Sequence, residues 1–209
     1  MKFYKYMDIK NAVSALKNGI YAGKLNEFND PYEYEGIKYV DDYRVCCGTR
    51  SAMKMLMWAH YVSHQGCCVE YEVPKDCELI KNVEYVEDYY ERREMNRDEL
   101  FENLYVKAKE WKYENEIRIV CDTMHLNDAL WTVIDEKYFF KKASVKAVCL
   151  GLNTDLNSSD VQNLFLFIDG YNSSMPEGDR LIKVQKCILS HRNYSITLDK
   201  QFDYRRAMK

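Results

Sequence analysis

Proline and glycine are scarce. Three prolines and eight glycines in 209 residues leave no room for a long flexible linker or a low-complexity tract. No apolar run approaches the ~20 residues of a membrane-spanning helix. The N-terminus has no apolar stretch with a small-residue cleavage site, so no secretory signal is expected. Neither sign of charge dominates. Thirty Lys and Arg against 33 Asp and Glu give a net charge of -3, with no global pull toward nucleic acid or anionic lipid. There is no P-loop, no dinucleotide glycine fingerprint and no Gly-x-Ser-x-Gly elbow.

Cysteine is present but unpatterned. The eight residues fall at 46, 47, 67, 68, 77, 121, 149 and 187, with no CxxC pair. Several sit inside apolar runs such as Val145–Leu150. A disulfide scaffold would be shorter and richer in loops. We therefore expect reduced, mostly buried thiols, no structural zinc, and a cytoplasmic protein with no membrane partner.

At 47% hydrophobic and 30% charged, the chain has the composition of an ordinary globular domain. Its length suits a single domain over 1–209. Strands are expected over Phe3–Tyr6, Tyr43–Gly48, Cys67–Val73, Val83–Val86, Glu116–Cys121, Lys142–Gly151, Leu181–Leu189 and Asn193–Leu198. Asp8 can cap a helix carrying Ile9, Ala12, Val13 and Leu16, which Asn18-Gly19 closes. Further helices are expected over Ser51–Tyr61, along the stripe Leu100, Phe101, Leu104, Tyr105 and Ala108, and over Ser159–Tyr171. Strands and helices do not alternate regularly. The expected class is α+β, a mixed but mainly antiparallel sheet with flanking helices.

Three aromatic-acidic strings stand out. Phe28-Asn29-Asp30-Pro31-Tyr32-Glu33 is a turn fixed by Pro31, able to present Asn29, Asp30 and Glu33 to a cleft. Met57-Trp58-Ala59-His60-Tyr61 places Trp58 and Tyr61 three apart on a helix, where they could form a stacking wall. In Trp111–Arg118, Glu114, Glu116 and Arg118 share one strand face, and Ile117 and Ile119 share the other. The ordinary alternatives are an Asx turn, core packing and a solvated charged face. His60 and His64 have helical metal-ligand spacing, but Tyr61 stands where a zincin has glutamate. We assign no metal. Arg118 stays protonated at every relevant pH and is expected to pair with Asp30 or Glu33.

With Tyr4-Lys5-Tyr6, Gly66 and the strand ending at Gly151, these strings resemble a bacterial and phage family designated domain of unknown function 2971. The resemblance covers about residues 1–151 and leaves a C-terminal helix and strands. Cys46-Cys47-Gly48-Thr49 departs from that family's Cys-Phe-Ser-like strand end, and Ile117 replaces an aromatic residue. The family name implies no activity. The layout is also similar to that of ADP-ribosyltransferases, which implies a fold of that kind. It implies NAD as substrate with no bound cofactor, and a protein or nucleic-acid acceptor in a toxin, defence or phage-conflict setting. On that likeness Tyr61 stacks on nicotinamide. Glu116 or Glu114 is the key carboxylate, and Tyr4, Tyr6 and Thr49 line the cleft. Glu116, deeper in its strand and better fixed, is the expected catalytic group with Glu114 its helper. Trp58, His60, Trp111 and Arg118 are further candidate ligand contacts. Two alternatives stand beside it. One is a non-catalytic module binding a nucleotide or a protein. The other is a metal-dependent nuclease built on Asp30, Glu33, Glu114 and Glu116.

Overall fold

The computed structural model describes residues 1–88, 92–176 and 181–209. In chain order the elements are β1 (Lys2–Met7), α1 (Ile9–Asn18), β2 (Ile20–Lys24), β3 (Tyr43–Thr49), α2 (Met55–Val62) and β4 (Cys67–Glu72). They continue with β5 (Ile80–Asn82), β6 (Glu84–Val86), α3 (Arg97–Asn103), β7 (Val106–Ala108), β8 (Glu116–Asp122), β9 (Trp131–Ile134) and β10 (Lys137–Phe140). β11 (Ser144–Leu150), α4 (Ser159–Ser174), β12 (Lys183–Leu189), β13 (Ile196–Leu198) and α5 (Tyr204–Ala207) complete the chain. The class is mixed α+β with mainly antiparallel strand pairing.

Within the span expected as one domain, the chain divides into two compact units, both discontinuous in sequence. The first comprises residues 1–17, 51–73 and 144–209. Here β4 pairs antiparallel with both β1 and β11. β11 and β12 run parallel, which requires the crossover that α4 supplies. Ser158 caps α4 by accepting the Val161 N–H. Val161, Leu164, Phe165 and Ile168 recur at helical spacing on α4 and are fully buried. Gly151 ends β11 where a Cβ would strike the His64 carbonyl, so only glycine fits that approach.

The second unit comprises residues 18–50 and 74–143. β3 and β8 pair antiparallel along their whole length, from Tyr43 opposite Asp122 to Thr49 opposite Glu116. β2 pairs β3 and β10, β10 pairs β9, and β5 pairs β8. β6 and β7 form a separate parallel pair. The core of this unit gathers Leu25, Ile37, Tyr43, Val45, Leu100, Leu104, Tyr105 and Val120.

The stripe expected as one helix from Leu100 to Ala108 is broken. α3 stops at Asn103, and Val106–Ala108 is strand β7. Tertiary pairing overrides local propensity here: β7 pairs β6, and the Lys107 side chain is held by buried carboxylates. The helix expected over Ser51–Tyr61 is shorter, α2 beginning at Met55. The β9–β10 hairpin was not expected. Its turn residues, Asp135 and Glu136, adopt φ of 48° and 61° without the glycine or asparagine that marks such turns.

Candidate functional site

β8 carries Glu116 and Arg118 of the charged face the sequence predicts, but Glu114 lies off that strand on a 3-10 helix that ends before it, and the face is not solvated. Glu116 is 5% exposed and Arg118 0%; Glu33 and Glu114 are 2% and 1%, and Lys107 is 5%. Asp30 starts the covering turn. Its carboxylate accepts the Tyr32 N–H at 3.0 Å and caps the short 3-10 helix Pro31–Glu33. A second 3-10 helix, Lys109–Glu114, delivers Glu114, and Thr49 secures its end by donating to the Glu114 carbonyl at 2.6 Å.

Five ionisable side chains meet there. Arg118 Nη1 lies 2.6 Å from Glu33 Oε1, and its Nε and Nη2 reach the two Glu116 oxygens at 2.9 and 3.1 Å. Nη1 also donates to the Leu104 carbonyl at 2.6 Å. Lys107 Nζ lies 2.7 Å from Glu114 Oε2, 3.4 Å from Glu116 Oε2 and 3.7 Å from Glu33 Oε2. The Trp111 ring covers Lys107 at 4.6 Å, and the Phe28 ring covers the Arg118 guanidinium at 5.4 Å. The Tyr85 hydroxyl accepts the Glu116 N–H at 2.8 Å.

Burial alone would raise the Glu116 carboxyl, but Arg118 and then Lys107 outweigh it and hold the group well below its usual range. Burial would likewise lower Lys107, and Glu116, Glu33 and Glu114 together push it up. Both Glu116 oxygens are committed to cations. A carboxylate that stabilises a developing cation on a substrate must face that substrate. This one faces Arg118 and Lys107. The arrangement joins β7, β8 and the two 3-10 helices through ion pairs.

The remaining candidates lie in the first unit. Trp58 is fully buried and donates to the Ala52 carbonyl at 2.7 Å. Tyr6 packs edge-on against Trp58 at 5.0 Å and donates to the Ser51 carbonyl at 3.3 Å. Tyr61 and His60 are exposed on α2, so Trp58 and Tyr61 do not form one wall. Tyr4 is half-buried, with Lys2 Nζ 5.9 Å from its ring centre. His64 lies beyond the helix end at φ 60°, so the His60 and His64 pair loses its helical spacing. Among the described residues, no group of three or more His, Cys, Asp or Glu is placed to hold a metal ion. The structure thus brings Asp30, Glu33, Thr49, Glu114, Glu116, Trp111 and Arg118 into one unit, with Asn29 exposed on the turn beside them.

Sequence reasoning missed a cleft of about 800 Å³ in the second unit. Its apolar lining includes Tyr43, Phe101, Val120, Leu130 and Trp131. Asp76, Glu78, Asp98 and Asp122 also line it, against a single lysine, Lys142. Arg97 is already bound beside it. Its Nη2 and Nη1 lie 2.6 and 3.1 Å from the two Asp122 oxygens, its Nε lies 2.9 Å from Asp42, and its guanidinium sits 5.3 Å from the Tyr43 ring centre. Burial works against the Asp122 charge, but Arg97, His125 and the Met124 N–H hold its pKa at about 2. Asn96 and Glu99 form the capping box that starts α3 beside the cleft. The acidic residues come from separate segments, none dense enough to mark a motif.

No helix among the described residues is long and apolar enough to cross a membrane. Comparison of the chain with family models, with curated proteins and with solved structures gave no match.

Proposed function

We propose that the chain is a non-catalytic binding module whose cleft takes a basic segment of a protein partner. One observation carries this: Asp76, Glu78 and Asp98, beside the Arg97-bound Asp122, line an open cleft with a single lysine and aromatic side chains among its apolar walls. A lysine- or arginine-bearing segment matches both features, its cations meeting the carboxylates and its aliphatic stems lying on the apolar lining. Arg97 supplies the pattern within the chain, a guanidinium gripped by Asp122 beside the Tyr43 ring. A nucleotide would bring phosphates to an acidic wall and is disfavoured.

The NAD chemistry implied by the layout would require Glu116 to leave Arg118 and Lys107 before it could touch a ribose. Its burial and pairing favour a structural duty. A nuclease would require the same carboxylates free for Mg²⁺, and three of them are paired with cations.

The test is a titration with a fluorescent Lys/Arg-rich peptide and an acidic control. We expect saturable binding of the basic peptide that weakens with salt. The triple variant Asp76→Asn, Glu78→Gln, Asp98→Asn should weaken it roughly tenfold, since exposed ion pairs are worth about 0.2–1 kcal/mol each. Equal affinity for the acidic control would overturn the proposal.

A further inference from the structure

Four of the eight cysteines, Cys67, Cys68, Cys149 and Cys187, belong to the first unit. Cys149 is on β11 and Cys187 on β12. The parallel register sets Cys149 beside Gln185, so Cys187 stands two residues further along on the same strand face. Their sulfurs are 3.3 Å apart and share one S–H···S hydrogen bond. Both side chains are buried.

The two thiols differ in character. The hydrogen bond with Cys149 draws Cys187 below its ordinary pKa against the effect of burial, and the Lys186 charge adds to the pull. The same hydrogen bond, with burial, pushes Cys149 up. Cys68, opposite Cys149 on β4, is held up chiefly by burial and does not compete as a nucleophile. The Lys186 ammonium is held by the Gly151 and Leu152 carbonyls, the latter at 2.8 Å.

We propose that Cys149 and Cys187 form a peroxide-reactive pair that closes to an intrachain disulfide. One sulfur attacks as the thiolate and its neighbour resolves, with Cys187 attacking in the steps that follow. In the first step the Cys187 sulfur bonds one oxygen of hydrogen peroxide, the O–O bond breaks and hydroxide leaves. The sulfur is oxidised by two electrons to a sulfenic acid and the peroxide is reduced. In the second step the Cys149 thiol gives up its proton and its sulfur attacks Cys187 Sγ. The S–O bond breaks, and the departing oxygen takes that proton and leaves as water. The sulfurs need to approach by roughly 1.2 Å, and the two-residue offset, about 6.6 Å along the strand, means that β12 must also shift against β11 to bring the Cα atoms within disulfide reach. Peroxide is small, and β13 covers β12 through only three paired residues, so local opening of that edge admits it. The bond would tie β11 to β12 across the α4 crossover.

The experiment treats the native reduced chain with a small molar excess of hydrogen peroxide, followed by alkylation and peptide mass mapping without reductant. We expect a Cys149–Cys187 linked peptide, loss of two alkylatable thiols and full reversal by dithiothreitol. In Cys149→Ser the Cys187 peptide should instead carry added oxygen. Cys121→Ser, in the other unit, should still form the link. If Cys149→Ser does not fold, the wild-type map decides alone. The proposal is overturned if oxidation falls on the half-exposed Cys47 and Cys77 while Cys149 and Cys187 stay fully alkylatable after unfolding.

Discussion

Arg118 Nη1 sits 2.6 Å from Glu33 Oε1, and neither side chain reaches solvent. The contact joins the middle of β8 to the turn that Asp30 and Pro31 fix early in the chain. Two acidic-aromatic strings distant in sequence are thereby one structural object. Glu116 and Lys107 complete it, so each charge has an opposite neighbour within 4 Å. Removing one member leaves a buried charge without its partner, which is far costlier than the net worth of the intact pair.

Arg118→Ala should therefore cost about 3–5 kcal/mol of folding stability, the scale for breaking a buried pair. Arg118→Lys keeps the charge but loses the fork that serves Glu33, Glu116 and the Leu104 carbonyl together. It should cost about 1.5–3 kcal/mol, the scale of one charge-assisted hydrogen bond. Urea denaturation of the three proteins checks both. A lysine variant as stable as the wild type would show that the fork geometry is unimportant.

Stability should fall in acid, and the sign follows from two depressed carboxyls. Glu116 is held low against burial by Arg118 and Lys107, and Asp122 is held at about 2 against burial by Arg97, His125 and the Met124 N–H. A depressed folded pKa stabilises above the unfolded value of about 4 and loses that contribution as pH falls through the folded value. The loss should run from about pH 4.5 down to about pH 2. Lys107 is raised, so its contribution is complete below about pH 10.4 and fades only above it. Tm measured against pH should show a steep acid limb that is shallower in Glu116→Gln. An identical limb in that variant would contradict the assignment.

The β9–β10 turn holds Asp135 and Glu136 in left-handed backbone conformations that favour asparagine and glycine. Asp135→Asn with Glu136→Gly should raise stability by about 1 kcal/mol. Thermal unfolding reads the change, and a lower Tm would mean that the side chains do more than turn the chain.

The strand faces were legible because alternation is local. Glu116 and Arg118 against Ile117 and Ile119 places them correctly on β8. What covers the charged face was not legible. Whether such a row is solvated or buried depends on Glu33 and Lys107, which arrive from other segments. Lys107 itself reads as part of a helix, because the Leu100–Ala108 stripe fits helical period until β7 pairs with β6. Trp58 and Tyr61 are neighbours by spacing, yet one is buried and the other exposed, since a three-residue offset also spans the edge of a buried stripe. The cleft left no signal, because its acidic residues are each ordinary in their own segment.

A non-catalytic module releases no nicotinamide from NAD. We expect none from the wild type above the uncatalysed rate, by chromatography of the reaction mixture with and without candidate acceptors. Turnover that Glu116→Gln abolishes at unchanged stability would restore the NAD chemistry to that carboxylate.

Amide hydrogen exchange with and without a Lys/Arg-rich peptide tests the central claim most directly. Bound peptide should protect the segments that line the cleft, around Asp76–Leu79, Asp98–Phe101 and Asp122–Trp131, and the protection should vanish at high salt. Protection confined to α2 or to the C-terminal strands, or none at saturating peptide, would contradict the account.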